Sequence, residues 1–257
     1  MTQQNLREVA VPGDVPRLEI PGWREKYGVV AGITARGNGP GRGFDLGLWG
    51  AEPVGEVMGR WRAFRAAERG FECLVLGNQV HRTEVAWHER GFGWEILEGI
   101  DGHATDAEGT LLTVTVADCI PVYLLDPDDG AVALLHAGWR GTAGGILAQG
   151  LERLLERESP DVDKLVMHCG VGICGKCYEV GREVMEGCGL PGIGAGPWRI
   201  DLREVLAEQG RKLGIRNVTV SDWCSAHDRP LFFSQRASQG ADGRMVAYLG
   251  RPLGGNR

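Results

Sequence analysis

The chain has 257 residues, 43% of them hydrophobic and 24% charged, with 28 Lys and Arg against 34 Asp and Glu for a net charge of −6. That balance argues against a nucleic-acid binder, which normally carries basic clusters to displace phosphate counterions, and the composition is that of an ordinary soluble globular protein rather than a disordered one. No proline-rich, serine-rich or single-charge stretch marks a linker in mid-chain, so one domain over residues 1–257 is expected, with residues 1–25 as a peripheral N-terminal extension.

In chain order, the opening Met1 to Val9 has no apolar core of signal-peptide length, which points to a cytoplasmic protein. Strands are predicted at Tyr27 to Ile33, Cys73 to Leu76, Leu111 to Val116, Val122 to Leu125, Ala131 to Leu135, Lys164 to Met167, Val218 to Val220 and Met245 to Leu249. Their runs are mostly continuous rather than alternating, so both faces should be covered. Val54, Val57, Met58, Trp61 and Phe64 fall at helical spacing, as do Ile146, Leu147, Leu151, Leu154 and Leu155 after Thr142, the expected N-cap; a further helix follows Asp201. Leu111 to Leu125 is too short for a membrane span and is broken by Asp118 and Pro121. The mixed order predicts a layered single-domain α/β (α+β) sandwich with mixed β-sheets, and the 41 glycines at the ends of apolar runs imply many tight turns.

Three segments place a metal-binding side chain just beyond an apolar strand: His81 after Cys73 to Leu76, Cys119 after Val114 to Val116, and His136 after Ala133 to Leu135. Strand ends hold ligands rigidly while loops shape a pocket. The spacings are too long for a local zinc finger, so only the fold could join them. Joined, two imidazoles and a thiolate give three ligands for zinc with a fourth position open, the catalytic pattern. By spacing alone, a satisfied buried histidine and an inert core cysteine are the commoner explanation. The turn Gly138-Trp139-Arg140-Gly141-Thr142 has amides and a guanidinium suited to phosphate or carboxylate, or it is a plain strand-to-helix turn with Arg140 in solvent. Seven cysteines, an odd number, favour reduced thiols over a disulfide framework. Cys169, Cys174 and Cys177 match the first part of an iron–sulfur spacing, but unpaired thiols around a glycine-rich loop are expected.

The motifs Asn78-Gln79-Val80-His81, Asp101-Gly102-His103-Ala104-Thr105-Asp106, Ala117-Asp118-Cys119-Ile120-Pro121-Val122, His136-Ala137-Gly138-Trp139-Arg140-Gly141-Thr142, Cys177-Tyr178-Glu179-Val180-Gly181 and Phe232-Phe233-Ser234 occur in that order. In content and rough spacing the chain resembles the laccase-domain family, also described as multi-copper polyphenol oxidoreductases, purine nucleoside phosphorylases and peptidoglycan editing factors. The resemblance spans about Ile33 to Leu249. It implies a mixed α/β sandwich, zinc held by His81, Cys119 and His136 (with copper the alternative ion), and purine nucleosides and phosphate as partners. Phosphorolysis of adenosine, inosine or methylthioadenosine and deamination of adenosine are the implied reactions. Three departures from the family pattern fall where substrate contacts are expected: Gly47 replaces a usual asparagine, Gln235-Arg236-Ala237 replaces an aromatic and paired arginines, and Lys176 precedes Cys177 in place of a cysteine.

Within that reading Arg36, Arg140 and Arg236 are the candidates for anion binding, with Arg36, Gly138 and Arg140 contacting substrate, and Glu179 is the candidate proton carrier or ribose acceptor. Asp118 is expected to orient the metal site from behind, and His103 to lie on a loop. Two other enzyme classes compete. A copper-dependent polyphenol oxidase could use the same ligands, although six histidines with no His-x-His pair exclude a multicopper laccase architecture. A cysteine hydrolase acting on cell-wall precursors would use Cys119 as its nucleophile. Neither a nucleic-acid nor a membrane partner is expected, and the chain should be a monomer or weak homodimer.

Overall fold

The continuous apolar runs do become strands buried on both faces. The structure, a computed structural model, describes residues 4–38, 43–158 and 161–254; the ends of the expected 1–257 domain lie outside them. One mixed seven-stranded sheet has the spatial order Gln4–Leu6, Asn217–Ser221, Val166–Cys169, Ile120–Leu125, Val132–Ala137, Gly102–Thr105, Val85–Trp87. A second has the order Val9–Ala10, Arg17–Glu19, Val30–Thr34, Met245–Gly250, Thr110–Val116, Cys73–Asn78, Gly93–Glu98. All eight predicted strands are present within these sheets, with ends shifted by up to a few residues.

Side-chain alternation shows how the layers assemble. Along Met245–Gly250, Met245, Ala247 and Leu249 pack between the sheets against Tyr123, Leu125 and Leu134, while Val246 and Tyr248 pack outward against Val57, Trp61 and Phe64 of the helix Val54–Ala67. On the far side of the other sheet, Ile120, Val122, Leu124 and Leu135 pack against the helices Ile146–Glu158 and Leu202–Lys212. The result is a four-layer helix–sheet–sheet–helix stack, in which the central strands of the two sheets need apolar residues on both faces. No helix among the described residues is long and apolar enough to cross a membrane.

Three expectations are corrected. Residues 4–19 are not peripheral: Gln4–Leu6 pairs in parallel with Thr219–Ser221, Arg17–Glu19 pairs with Gly32–Thr34, and the buried Glu8 carboxylate accepts from Ser221 Oγ at 2.7 Å and lies 3.1 Å from His168 Nε2. The segment thus joins both sheets, through polar contacts that no hydrophobic pattern announces. Thr142 is not an N-cap; it lies inside the short helix Trp139–Gly144 with its hydroxyl bonded back to Gly138 O at 2.9 Å, and Gly145 at φ 87° separates that turn from Ile146–Glu158. His103 is fully buried in the strand Gly102–Thr105, its Nδ1 3.0 Å from His88 Nε2. Burial, followed by the neighbouring His88, drives its pKa down to about 3, so it stays neutral.

Candidate functional site

The turn Ala117–Cys119 carries the chain from the strand Thr110–Val116 of one sheet to Ile120–Leu125 of the other, so Cys119 sits where the two sheets meet. The antiparallel register sets Pro121 opposite His136, which brings His136 alongside the turn. His81 follows the strand Cys73–Asn78 in the adjacent sheet. Its ring meets that of His136 edge-to-face with centroids 4.8 Å apart, and the donor atoms of His81, Cys119 and His136 all lie within 4.8 Å of one another. Gly138 makes this approach feasible, because a Cβ there would stand 3.1 Å from Cys119 Sγ and 3.3 Å from His81 Cδ2.

Asp101 organises the cluster. Its carboxylate is fully buried and accepts the backbone N–H groups of Val80 (3.1 Å), His81 (2.9 Å) and Arg82 (2.9 Å), while Oδ1 lies 2.8 Å from His136 Nδ1. Those amide bonds hold His81 at φ 60°, a left-handed conformation that side chains rarely adopt. The bond to Nδ1 leaves Nε2 of His136 as the free donor atom, the usual arrangement behind a metal-bound histidine. Burial raises the Asp101 pKa, but His136 and the amides outweigh it and hold the group below the usual carboxylate range. Burial likewise pushes the Cys119 thiol up, yet His136 and His81 bring it down to about 6; His136, despite burial, is lifted to about 9 by Cys119 and Asp101. A ready thiolate beside two imidazoles, one of them backed by a carboxylate, fits a borderline-soft divalent ion and supplies three protein donors, one fewer than a closed structural site.

A cavity of about 850 Å3 is lined by His81, Cys119 and His136, and by Trp139, Tyr178 and Arg244 among others. The structure brings only some of the expected residues to it. Gly138 and Arg140 line it; Arg140 is exposed, rests over the Trp139 ring at 4.5 Å, and has no ion-pair partner among the described residues. Arg236 also lines it, but its Nη1 donates to Glu179 O at 2.6 Å. Arg36 is outside the wall, paired with Asp242 at 2.5 Å and stacked on Phe233. Glu179 is outside as well: it is exposed, with its carboxylate 4.0 Å from Arg199, whereas Val180 on the same short strand points inward. Asp118 lines the cavity, but its oxygens accept from Ser225 Oγ (2.6 Å) and Arg236 N (2.7 Å); the carboxylate behind His136 is that of Asp101.

Sequence reasoning missed Asp101, Asp45 and Arg244. Asp45 is buried and accepts the Arg244 N–H at 2.8 Å, and Arg244 Nη1 donates to Gly243 O at 3.0 Å. At Gly47 a Cβ would lie 3.1 Å from both Arg244 Cγ and Asp45 Oδ1, so a larger side chain there would compete with the arginine stem. Cys169 lies buried in its strand, whereas Cys174 and Cys177 meet Cys224 and His227.

Replacing the acceptor carboxylate by Asp101→Asn should set an amide against backbone donors, lowering metal affinity by about 10–100-fold in a chelator competition; unchanged affinity would contradict the organising role of Asp101. In metal-stripped protein, iodoacetamide labelling of the Cys119 peptide, read by mass spectrometry, should rise with pH through a midpoint of about 6. A midpoint at the ordinary thiol value of roughly 8.5 would show that the two imidazoles do not act on Cys119.

A family model described as multi-copper polyphenol oxidoreductase laccase matches residues 31–252. Purine nucleoside phosphorylase YlmD of Geobacillus stearothermophilus is 34% identical over 272 residues, which cover 93% of this chain and 97% of that one. Adenosine deaminase RL5, from an unknown prokaryotic organism, is 34% identical over 235 residues, covering 81% and 88%. The crystal structure of YlmD from Geobacillus stearothermophilus matches with a TM-score of 0.84 at 29% identity, covering 95% of this chain and 99% of that one. The layered α/β fold and the motif order thus agree with the sequence comparisons, and the chain belongs to the multi-copper polyphenol oxidoreductase laccase family, the laccase-domain proteins.

Proposed function

We propose that the protein is a zinc-dependent purine nucleoside phosphorylase acting on adenosine, inosine or methylthioadenosine, with adenosine deaminase activity at the same site. The observation that carries this reading is the convergence of His81, Cys119 and His136 in a cavity of about 850 Å3, large enough for a nucleoside and a phosphate. The printed names of the relatives, phosphorylase and deaminase, support the substrate class.

A zinc ion held by these three residues would supply Lewis-acid activation beside the bound nucleoside. Trp139 and Tyr178 offer aromatic surface for the purine. Burial, with Cys119 next, pushes the Tyr178 pKa up to about 12, so its hydroxyl remains a hydrogen-bond donor at neutral pH. Arg140, exposed and without an ion-pair partner among the described residues, is assigned to phosphate, with Arg244 as a further guanidinium on the wall. Arg236 and Arg36 then act by position: the first ties its loop to Glu179 O, and the second holds Asp242. Proton transfer is assigned to Asp118, a cavity acid adjacent to Cys119, in preference to Glu179, which faces Arg199.

One geometric feature favours a second reading. Cys119, His136 and Asp101 stand in the order nucleophile, base and orienting acid, as in a cysteine hydrolase. His81 has no part in that scheme, and a metal bonded to Cys119 leaves no thiolate free to attack. Copper at the same three ligands, with phenol oxidation, is the remaining alternative.

Zinc-loaded protein incubated with adenosine and phosphate should yield adenine with ribose 1-phosphate, together with inosine and hypoxanthine, on chromatography. His81→Ala should lower both phosphorolysis and deamination by at least about 100-fold. Arg140→Ala should remove a charge-assisted contact of about 1.5–3 kcal/mol and raise the KM for phosphate roughly 10-fold or more, leaving deamination unchanged. No product above the His81→Ala background would defeat the proposal; products formed only from phenols with copper would favour the oxidase.

A further inference from the structure

Two short turns at one end of the first sheet bring together three thiols and an imidazole that the proposed reaction does not use. Val166–Cys169 and Asn217–Ser221 are neighbouring parallel strands, so the loops after them leave the sheet on the same side. The first loop carries Cys174-Gly175-Lys176-Cys177, and the second Cys224-Ser225-Ala226-His227. A parallel bridge between Gly172 and Cys224 locks the loops together.

We propose that Cys174, Cys177, Cys224 and His227 form a second metal site, a structural zinc centre distinct from the His81–Cys119–His136 cluster. Their donor atoms all lie within 4.8 Å of one another, with His227 Nδ1 at 3.6 Å from Cys174 Sγ and 3.4 Å from Cys177 Sγ. The edges of a zinc tetrahedron are roughly 3.5 Å for sulfur to nitrogen and roughly 3.8 Å for sulfur to sulfur, from bonds of ~2.3 and ~2.0 Å. The spacing therefore suits a single ion. A polynuclear iron–sulfur cluster would interpose sulfides and hold some ligands farther apart, and Cys169, which that reading required, is not in the group.

The surroundings are those of a thiolate site. In each turn the backbone N–H groups two and three residues on are directed at the first sulfur: Lys176 and Cys177 at Cys174, Ala226 and His227 at Cys224. The Cys174 N–H also points at Cys224 Sγ, at 3.3 Å. Such donors lower the cost of holding thiolate charge together. The Asp228 carboxylate accepts the Cys224 N–H at 2.9 Å and lies 3.6 Å from His227 Nε2, behind the donor nitrogen, where outer carboxylates orient metal-bound histidines. Cys224 is fully buried, and Ile173, Tyr178 and Ala226 pack around the cysteines. Four protein donors make this a closed site, in contrast to the three at the catalytic cluster.

An ion here would staple the two loops that brace the cavity. Ile173 N and Ser225 Oγ both bond to Asp118, next to Cys119, and Tyr178 follows Cys177 on the cavity wall. The centre is thus placed to hold the catalytic loops in register without touching substrate.

The test is metal content rather than turnover, so it stands or falls separately from the nucleoside reading. Mass-spectrometric metal analysis of zinc-equilibrated, desalted full-length chain should find two zinc ions per chain in the parent, and one in Cys119→Ser. A further variant combining Cys177→Ser with His227→Ala, both at less buried positions, should also retain one. Cobalt-loaded Cys119→Ser should show the charge-transfer and ligand-field bands of a tetrahedral thiolate site, absent from Cys119→Ser that also carries the other two changes. His227→Ala alone alters an exposed side chain and serves as a folding control by circular dichroism; its cobalt spectrum should shift. A zinc count that does not differ between the parent and the Cys177→Ser/His227→Ala protein would overturn the proposal, as would a parent mass short by two hydrogens with a Cys174–Cys177 disulfide in its peptide map.

Discussion

The Asp101 carboxylate is the contact through which the backbone and the reactive cluster constrain each other. An ionised carboxylate offers about four acceptor sites, and four partners occupy them here: three successive amides of the Val80–Arg82 turn and the Nδ1 of His136. Charge-assisted hydrogen bonds are worth about 1.5–3 kcal/mol each, enough together to hold His81 in its left-handed conformation and to fix the His136 ring. Without this acceptor, a buried imidazole and three inward-facing amides would lack partners, and the histidines would have no common reference.

The four-layer stack explains why such a hub can exist. The strands ending at the cluster belong to different sheets, yet the core between those sheets is continuous, with Val116, Tyr123 and Leu134 packed in one apolar body. The turn through Asp118, at φ 87°, crosses between the sheets and is pinned by Ser225 and the Arg236 amide on its carboxylate and by the Ile173 amide on its carbonyl. A rigid interior presents Cys119, while the outer loops shape the space above it. That division lets loop residues on the cavity wall, such as Gly47 and Gln235, differ without disturbing His81, Cys119 and His136.

Much of this was legible in the sequence. The strands Thr110–Val116, Ile120–Leu125 and Met245–Gly250 announce themselves because residues facing two cores must be apolar throughout. Gly93–Glu98 was not legible: it is an edge strand with a mixed, partly exposed surface and no clean period. His81, Cys119 and His136 could be picked out by residue type and motif, and the fold brings them together. The role of Asp101 could not, since it depends on which way three amides point. Arg36 and Glu179 stand near the right elements but turn to Asp242 and Arg199, choices made by side-chain direction and local charge. The Cys-x2-Cys and Cys-x2-His turns are present in the sequence too, but chain spacing sets Cys174 and Cys177 beside Cys169, whereas the fold sets them beside Cys224 and His227.

Anomalous diffraction at the zinc absorption edge, from crystals grown in zinc, tests the central arrangement most directly. The account predicts a peak roughly 2.0–2.3 Å from His81, Cys119 Sγ and His136 Nε2, with Asp101 still on His136 Nδ1 and no fourth protein side chain bonded to the ion. A cluster without such a peak, or an ion closed off by a fourth protein ligand, would contradict it.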